Sequence, residues 1–435
     1  MPVREALLLI LVSGLCLVGL RRPKVALYAY IWYAIVAPDV LAWCEGKYPL
    51  SLALAIVAAI GAVRNYRRIP ALLSMRGVQL VLLLQIPIGL SILDSTGPFL
   101  SADRYTQFEV NTVMSMMIPL MLETHTDIRN LLMVCALSEA LLGSRIGLYG
   151  LLNGGGLLNF GHGRIYDSNE LALAEVMLLP ICWCLREAVE SRWIKWLLIA
   201  IFLTAGAAVI MSNSRGSSLA LAAVVVFVIF RSDRKSVALV AVILAIAPAV
   251  YLVQEQYVSR MKTLETYQDE ESAASRVTLW QAAWDVWKEH PLLGVGFGNR
   301  NFAVAAGRYL GRDNQTVAHN SYLQMLVDSG IVAFLFYCGL LFGSIIGLGK
   351  SARRFDAAGS EARWLAIAVQ GSLLAYAVGG TFYSHQRYDF AYMLFMTAAA
   401  WFAMENTELE ACEDSSQMSE DCYILAQLPR VSDGS

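Results

Sequence analysis

The chain has 435 residues, of which 57% are hydrophobic and only 16% charged, with a mean hydropathy of +0.53; this combination excludes an ordinary soluble globular protein. A net charge of −2 without a clustered basic excess argues against a nucleic-acid partner. Eight cysteines fall mainly inside apolar segments (Cys16, Cys135, Cys182, Cys184, Cys338), without CxxC pairs or Cys/His metal spacing, and read as packing residues.

From the N-terminus, Met1-Pro2-Val3-Arg4 runs into an apolar stretch ending at Leu20, and Arg21, Arg22 and Lys24 follow without a small-residue cleavage site. That pattern predicts a retained first span. A spanning helix needs about 20 mostly apolar residues to cross roughly 30 Å of hydrocarbon. Windows of this kind recur at 5–20, 25–43, 49–63, 77–93, 108–122, 130–144, 170–185, 193–211, 217–230, 237–253, 321–348, 364–382 and 389–404. The expected fold is therefore an all-α integral membrane protein, a polytopic bundle of 12–13 transmembrane helices with one large external loop. Pro38, Pro87, Pro119 and Pro180 interrupt spans, which neighbouring helices accommodate.

Alternate short loops are the basic ones, holding Arg21, Arg22 and Lys24, then Arg64, Arg67, Arg68 and Arg76, and later Arg129, Arg186, Arg231, Lys350 and Arg363. Cationic loops stay in the cytoplasm, which places the N-terminus outside. The organisation expected is N-terminal transmembrane helices over 1–253, a long external loop over 254–320, C-terminal helices over 321–404 and an acidic, disordered cytoplasmic tail over 405–435. Inside the loop, Val277, Trp280, Trp284 and Trp287 recur at helical spacing, a stripe suited to the membrane interface.

Three polar features lie on the external side of this topology. Ser214-Arg215-Gly216 sits in a turn between two spans, where an arginine is costly without a partner unless it snorkels. Arg276 is expected in the first turn of the Trp-striped helix, where a helix start favours anions, although a solvated loop arginine has the same sequence appearance. His319 opens the span after the loop and can accept a proton near neutral pH, or serve simply as a hydrogen-bonding group at a helix start. Asn169 and Glu170 open another external span, with Asp167 and Ser168 before them as an ordinary N-cap. Asp269-Glu270-Glu271 reads as a solvated charge run, and no metal or cofactor is expected. Gly294, Gly296 and Gly298 lack the strand and helix of a dinucleotide fingerprint.

Taken in order, SRG between two spans, an Arg-led amphipathic segment and His319-Asn320-Ser321-Tyr322-Leu323-Gln324 before a span resemble the signature of the O-antigen ligase and polymerase superfamily. Pro291-Leu292-Leu293-Gly294-Val295-Gly296 looks like its glycine-rich run. Leu20-Arg21-Arg22-Pro23, the segment Gly163–Ala172 and Ser259-Arg260-Met261-Lys262-Thr263 look like its exosortase-associated O-glycosylation ligase branch. The resemblance implies a GT-C-like glycosyltransferase architecture in a bacterial inner membrane, with the active site facing the periplasm. It implies transfer of a glycan from undecaprenyl pyrophosphate to an acceptor hydroxyl of a lipid core, protein or glycan. By the same resemblance Arg215 and Arg276 hold the donor pyrophosphate and His319 acts at the acceptor; Asn320, Tyr322, Asn169 and Glu170, on the same external side, are candidate substrate contacts. A polymerase of the same superfamily is the alternative within enzymes. A lipid-linked glycan flippase is the alternative outside them; few charges lie within the spans, Glu139 being the exception, which favours catalysis at the interface.

Overall fold

The computed structural model describes residues 3–93, 95, 97–152, 168–212, 214–262, 270–310, 317–355 and 360–414. All regular structure among them is helical. The first half contains α1 (Val3–Arg21), α2 (Pro23–Val36), α3 (Pro38–Leu41), α4 (Leu50–Arg64), α5 (Ile69–Ser74), α6 (Arg76–Ser91), α7 (Pro98–Met121), α8 (His125–Leu152) and α9 (Ser168–Ala188). The second half contains α10 (Arg192–Met211), α11 (Arg215–Arg231), α12 (Lys235–Lys262), α13 (Glu270–Glu289), α14 (Asn299–Leu310), α15 (Ser321–Arg354), α16 (Glu361–Gly379) and α17 (Asp389–Asp414).

Prolines set several of these starts. Pro23, Pro38 and Pro98 occupy first-turn positions, where the missing N–H costs nothing. The helices bury themselves to very different depths. Every residue from Leu171 to Leu185 in α9 is buried, and α16 is nearly as enclosed, so these two form the centre. Peripheral α1 buries only Glu5, Leu8, Val12 and Gly19, and turns Leu7, Ile10 and Leu17 outward. Rows of exposed aliphatic side chains on α4, α6 and α12 repeat that pattern. Such surfaces suit lipid, and together with the helical content they make the chain an all-α membrane bundle.

Each of the thirteen apolar windows coincides with helix, the second being divided between α2 and α3 at Ala37, whose φ is +45°. By length and composition three helices qualify alone as membrane spans among the described residues: α1, α10 and α15. A fourth arises if α4 and the segment Tyr66–Ser74, bent by 67°, count together. Within α15, Gly330 (φ +77°, ψ −176°) breaks the helix, leaving 331–354 as a rod of about 36 Å.

Loops of the two predicted sets separate to two ends of the bundle. At one end Lys24 pairs with Asp127 (2.6 Å), Arg68 with Glu123 (2.8 Å), Arg129 with Glu361 (3.1 Å), Arg363 with Asp233 (3.0 Å) and Arg354 with Glu405 (3.0 Å). The last pair corrects the expectation of an irregular tail from 405. α17 continues to Asp414, because Glu405 is buried against Arg354 instead of solvated; residues 415–435 lie outside the described residues.

The long loop is largely helical. α12 extends to Lys262, and α13 and α14 pack together through Ala282, Ala283, Val286, Phe302 and Ala306. The aromatic stripe is divided, which corrects its reading as one interfacial face. Val277 and Trp284 are exposed, whereas Trp280 and Trp287 direct their indole N–H groups to the carbonyls of Ala318 and Pro291. Helical spacing identifies a shared face but not what covers it.

Candidate active site

The SRG turn is built by a cap and a close contact. Ser214 has extended backbone and its hydroxyl accepts the Ser217 N–H at 3.3 Å, satisfying one of the open donors of α11. Arg215 is then the first helical residue, and it is exposed. A cation there opposes the helix dipole, which favours anions at an N-terminus. Placing a phosphate beside the guanidinium and the first-turn N–H groups reverses that sign. Gly216 permits the approach of the 380–385 turn, since a Cβ would sit 2.6 Å from Phe382 Cβ and 2.9 Å from Tyr383 Oη. The Tyr383 hydroxyl accepts the Ser217 N–H at 2.8 Å, lies 2.9 Å from Ser217 Oγ and also contacts Ser214 Oγ.

The same turn receives the second motif. His319 is in the left-handed region (φ +48°), which lifts the chain into the N-cap at Asn320. The Asn320 side chain accepts from Tyr322 N–H and Leu323 N–H, both at 3.0 Å. Ser321 donates its N–H to Gly380 O (2.7 Å) and its hydroxyl to Tyr383 O (2.6 Å), and accepts the His385 N–H (2.9 Å). Tyr322 donates its hydroxyl to Ala377 O at 2.7 Å. Asn320 Oδ1 and the Tyr322 hydroxyl are therefore engaged in the scaffold.

Arg276 is half-buried in the second turn of α13, not the first; the helix begins at Glu270, so open N–H groups do not surround it. Four residues on, along the same helix face, Trp280 donates to the carbonyl of Ala318, the residue before His319. The glycine-rich run fixes this assembly to α15. Val295 and Gly296 donate to the carbonyls of Val327 and Asp328, and Ile331 to Pro291 O. Gly330 has positive φ, and a Cβ there would come 2.0 Å from Leu292 O. Asp328, fully buried, accepts from Gln324 (2.7 Å), Gln386 (3.0 Å) and Gly298 N–H (3.4 Å), tying three segments together.

Arg215, Arg276 and His319 are thus connected through one junction made by Tyr383, Ser321, Ala318 and Trp280. The sequence reading did not single out Tyr383, His385 or Arg387. The polar run Ser384-His385-Gln386-Arg387 between two apolar windows is the signal that marks them. His385 stacks on Tyr383, with ring centroids 5.5 Å apart, and forms one wall of a cavity of about 390 Å³. Arg104, Arg387, Glu139 and Glu170 also line it. Burial lowers the pKa of Arg387 from the ordinary arginine value and Asp328 opposes that shift. Glu170 lies in the first turn of α9 beside Asn169, both half-buried. Asp167, the Ser168 side chain and those of the Asp269-Glu270-Glu271 run lie outside the described residues. Among the described residues no cluster of three or more His, Cys, Asp or Glu side chains has metal-holding geometry.

Residues 199–338 match the family model described as O-antigen ligase. Residues 199–338 are thus a segment of the O-antigen ligase superfamily. Arg215, Arg276 and His319 all fall within the matched segment, which runs from α10 to the middle of α15. This member of the superfamily is accordingly a membrane protein of the ligase or polymerase type, a glycan-transferring enzyme. Residues 3–190 match a second model, a family of unknown function (DUF5935). No curated protein matches the chain. Much of the cavity wall, including Arg104, Glu139 and Glu170, comes from the segment of unknown function, while the three motif residues come from the ligase segment.

Proposed function

We propose that the protein transfers a glycan from undecaprenyl pyrophosphate to an acceptor hydroxyl at the external face of the inner membrane, with inversion at the anomeric carbon and without a metal ion. Arg215 and the open N–H groups of α11 hold the donor pyrophosphate, joined by Arg276 from α13. His319 takes the proton of the acceptor hydroxyl as that oxygen bonds to the anomeric carbon. The bond from this carbon to the pyrophosphate oxygen breaks, and the leaving group departs as undecaprenyl pyrophosphate, a stable dianionic or trianionic diphosphate monoester needing cations more than a strong acid. Two guanidinium groups, Arg215 exposed and Arg276 half-buried, supply that charge.

One observation carries this reading: the SRG turn and the His319 cap are bonded to opposite sides of the same residue, Tyr383, whose hydroxyl meets Ser217 while its carbonyl meets Ser321. The test is binding of radiolabelled undecaprenyl pyrophosphate to purified protein, alongside glycan transfer. Arg215→Ala and Arg276→Ala are each expected to weaken binding by about ten-fold or more, the value of a charge-assisted hydrogen bond. Undiminished binding in both variants contradicts the donor site. Transfer should also survive EDTA, and a loss restored by magnesium would overturn the metal-free step.

A further inference from the structure

We propose that the cavity between α2, α7, α8 and the start of α17 is the subsite for the acceptor glycan, so that the segment of unknown function supplies acceptor recognition to the ligase segment. Its size, about 390 Å³, falls within the range of small-molecule sites, about 300–1,000 Å³, and accommodates a short saccharide. Its lining has the chemistry that recognises sugars. Carboxyl groups of Glu139, Glu170 and Asp389 accept hydrogen bonds from hydroxyls, Arg104 and Arg387 donate, and Tyr30 and Tyr388 add aromatic surface.

Glu170 and Asp389 offset Arg104 and Arg387 in the lining, and the buried carboxyl group of Glu139 adds a further hydrogen-bonding group suited to hydroxyls. Glu139 has room for a hydrogen-bonding partner. It is only 3% exposed, lines the cavity, and its Oε2 is one of several buried polar atoms that the described residues leave without a hydrogen-bond partner. A sugar hydroxyl donating to that oxygen completes it.

The cavity wall is tied to the His319 segment. Its wall residue His385 donates its N–H to Ser321, two residues after His319, and Ser384 donates to Gln324 in the same short helix. An acceptor seated there lies against the turn that holds the His319 segment. This inference rests on the proposed transfer reaction for its acceptor assignment.

Two variants test it: Glu139→Gln, which keeps shape while replacing the carboxyl group, and Ala34→Trp, which fills the cavity from α2. Transfer is followed from native lipid-linked donor extract to delipidated cell-envelope acceptor at varied acceptor concentration. Affinity for radiolabelled undecaprenyl pyrophosphate is measured in parallel. The expected result is an acceptor KM raised about ten-fold or more in both variants, with donor affinity and kcat within about two-fold of wild type. A donor KM raised instead means that the cavity holds the donor's sugar and overturns the proposal, as does unchanged acceptor KM in both variants. Arg215→Ala, run beside them, reports separately on the donor site: its failure to weaken donor binding removes the proposed reaction without altering the acceptor result. Should Ala34→Trp unfold in detergent, Glu139→Gln alone decides.

Discussion

The two ends of the bundle are held together by different chemistry. One end is fastened by opposite charges from separate loops, most deeply by Arg354 and Glu405, which are 4% and 2% exposed. The other is fastened largely by hydroxyls, amides and backbone groups around Tyr383, Ser321 and Asp328. Where charges neutralise one another they build structure. Where neutral groups build the structure, guanidinium and imidazole groups can be set at helix starts and cavity walls to meet a substrate.

If that contrast is correct, substitutions at the two ends separate stability from activity. The largest stability loss is expected for Arg354→Ala, which leaves Glu405 buried and uncompensated, at about 3–5 kcal/mol. Thermal unfolding in detergent measures this, and transfer per folded molecule should stay at the wild-type level. Activity lost beyond the folded fraction would break the contrast. Tyr383→Phe comes next, with about 1–3 kcal/mol lost because the Ser217 N–H loses its strong acceptor. Here transfer should fall about ten- to hundred-fold as the two motifs shift relative to each other. Arg68→Ala breaks an exposed pair with Glu123 and should cost less than about 1 kcal/mol, with no change in transfer.

The bundle was legible in the sequence because lipid requires every spanning segment to satisfy its own backbone, and only long apolar windows do so. The three motifs were legible because each is short and local, as in the Ser214 cap and the Asn320 cap. Their junction was not. Tyr383 reaches Ser217 across 166 positions, and nothing local in its sequence names that partner. Arg276 was placed too early in its helix because Glu271-Ser272-Ala273-Ala274 extends α13 toward the N-terminus, and good helix formers there leave no stop signal. Glu175 was passed over inside an apolar window, yet it is fully buried, its carboxylate occupying the space that a Cβ on Gly143 would need. The cavity is assembled from five helices distant in sequence and the turn before α17, so no window of residues contains it.

The most direct test of the account is transfer by His319→Asn. Asparagine tolerates the left-handed backbone at this position, so the cap and the junction are retained while the imidazole base is removed. The account predicts wild-type affinity for undecaprenyl pyrophosphate with transfer reduced at least about hundred-fold, the contribution of a general base. A folded His319→Asn protein that transfers glycan at the wild-type rate would contradict it.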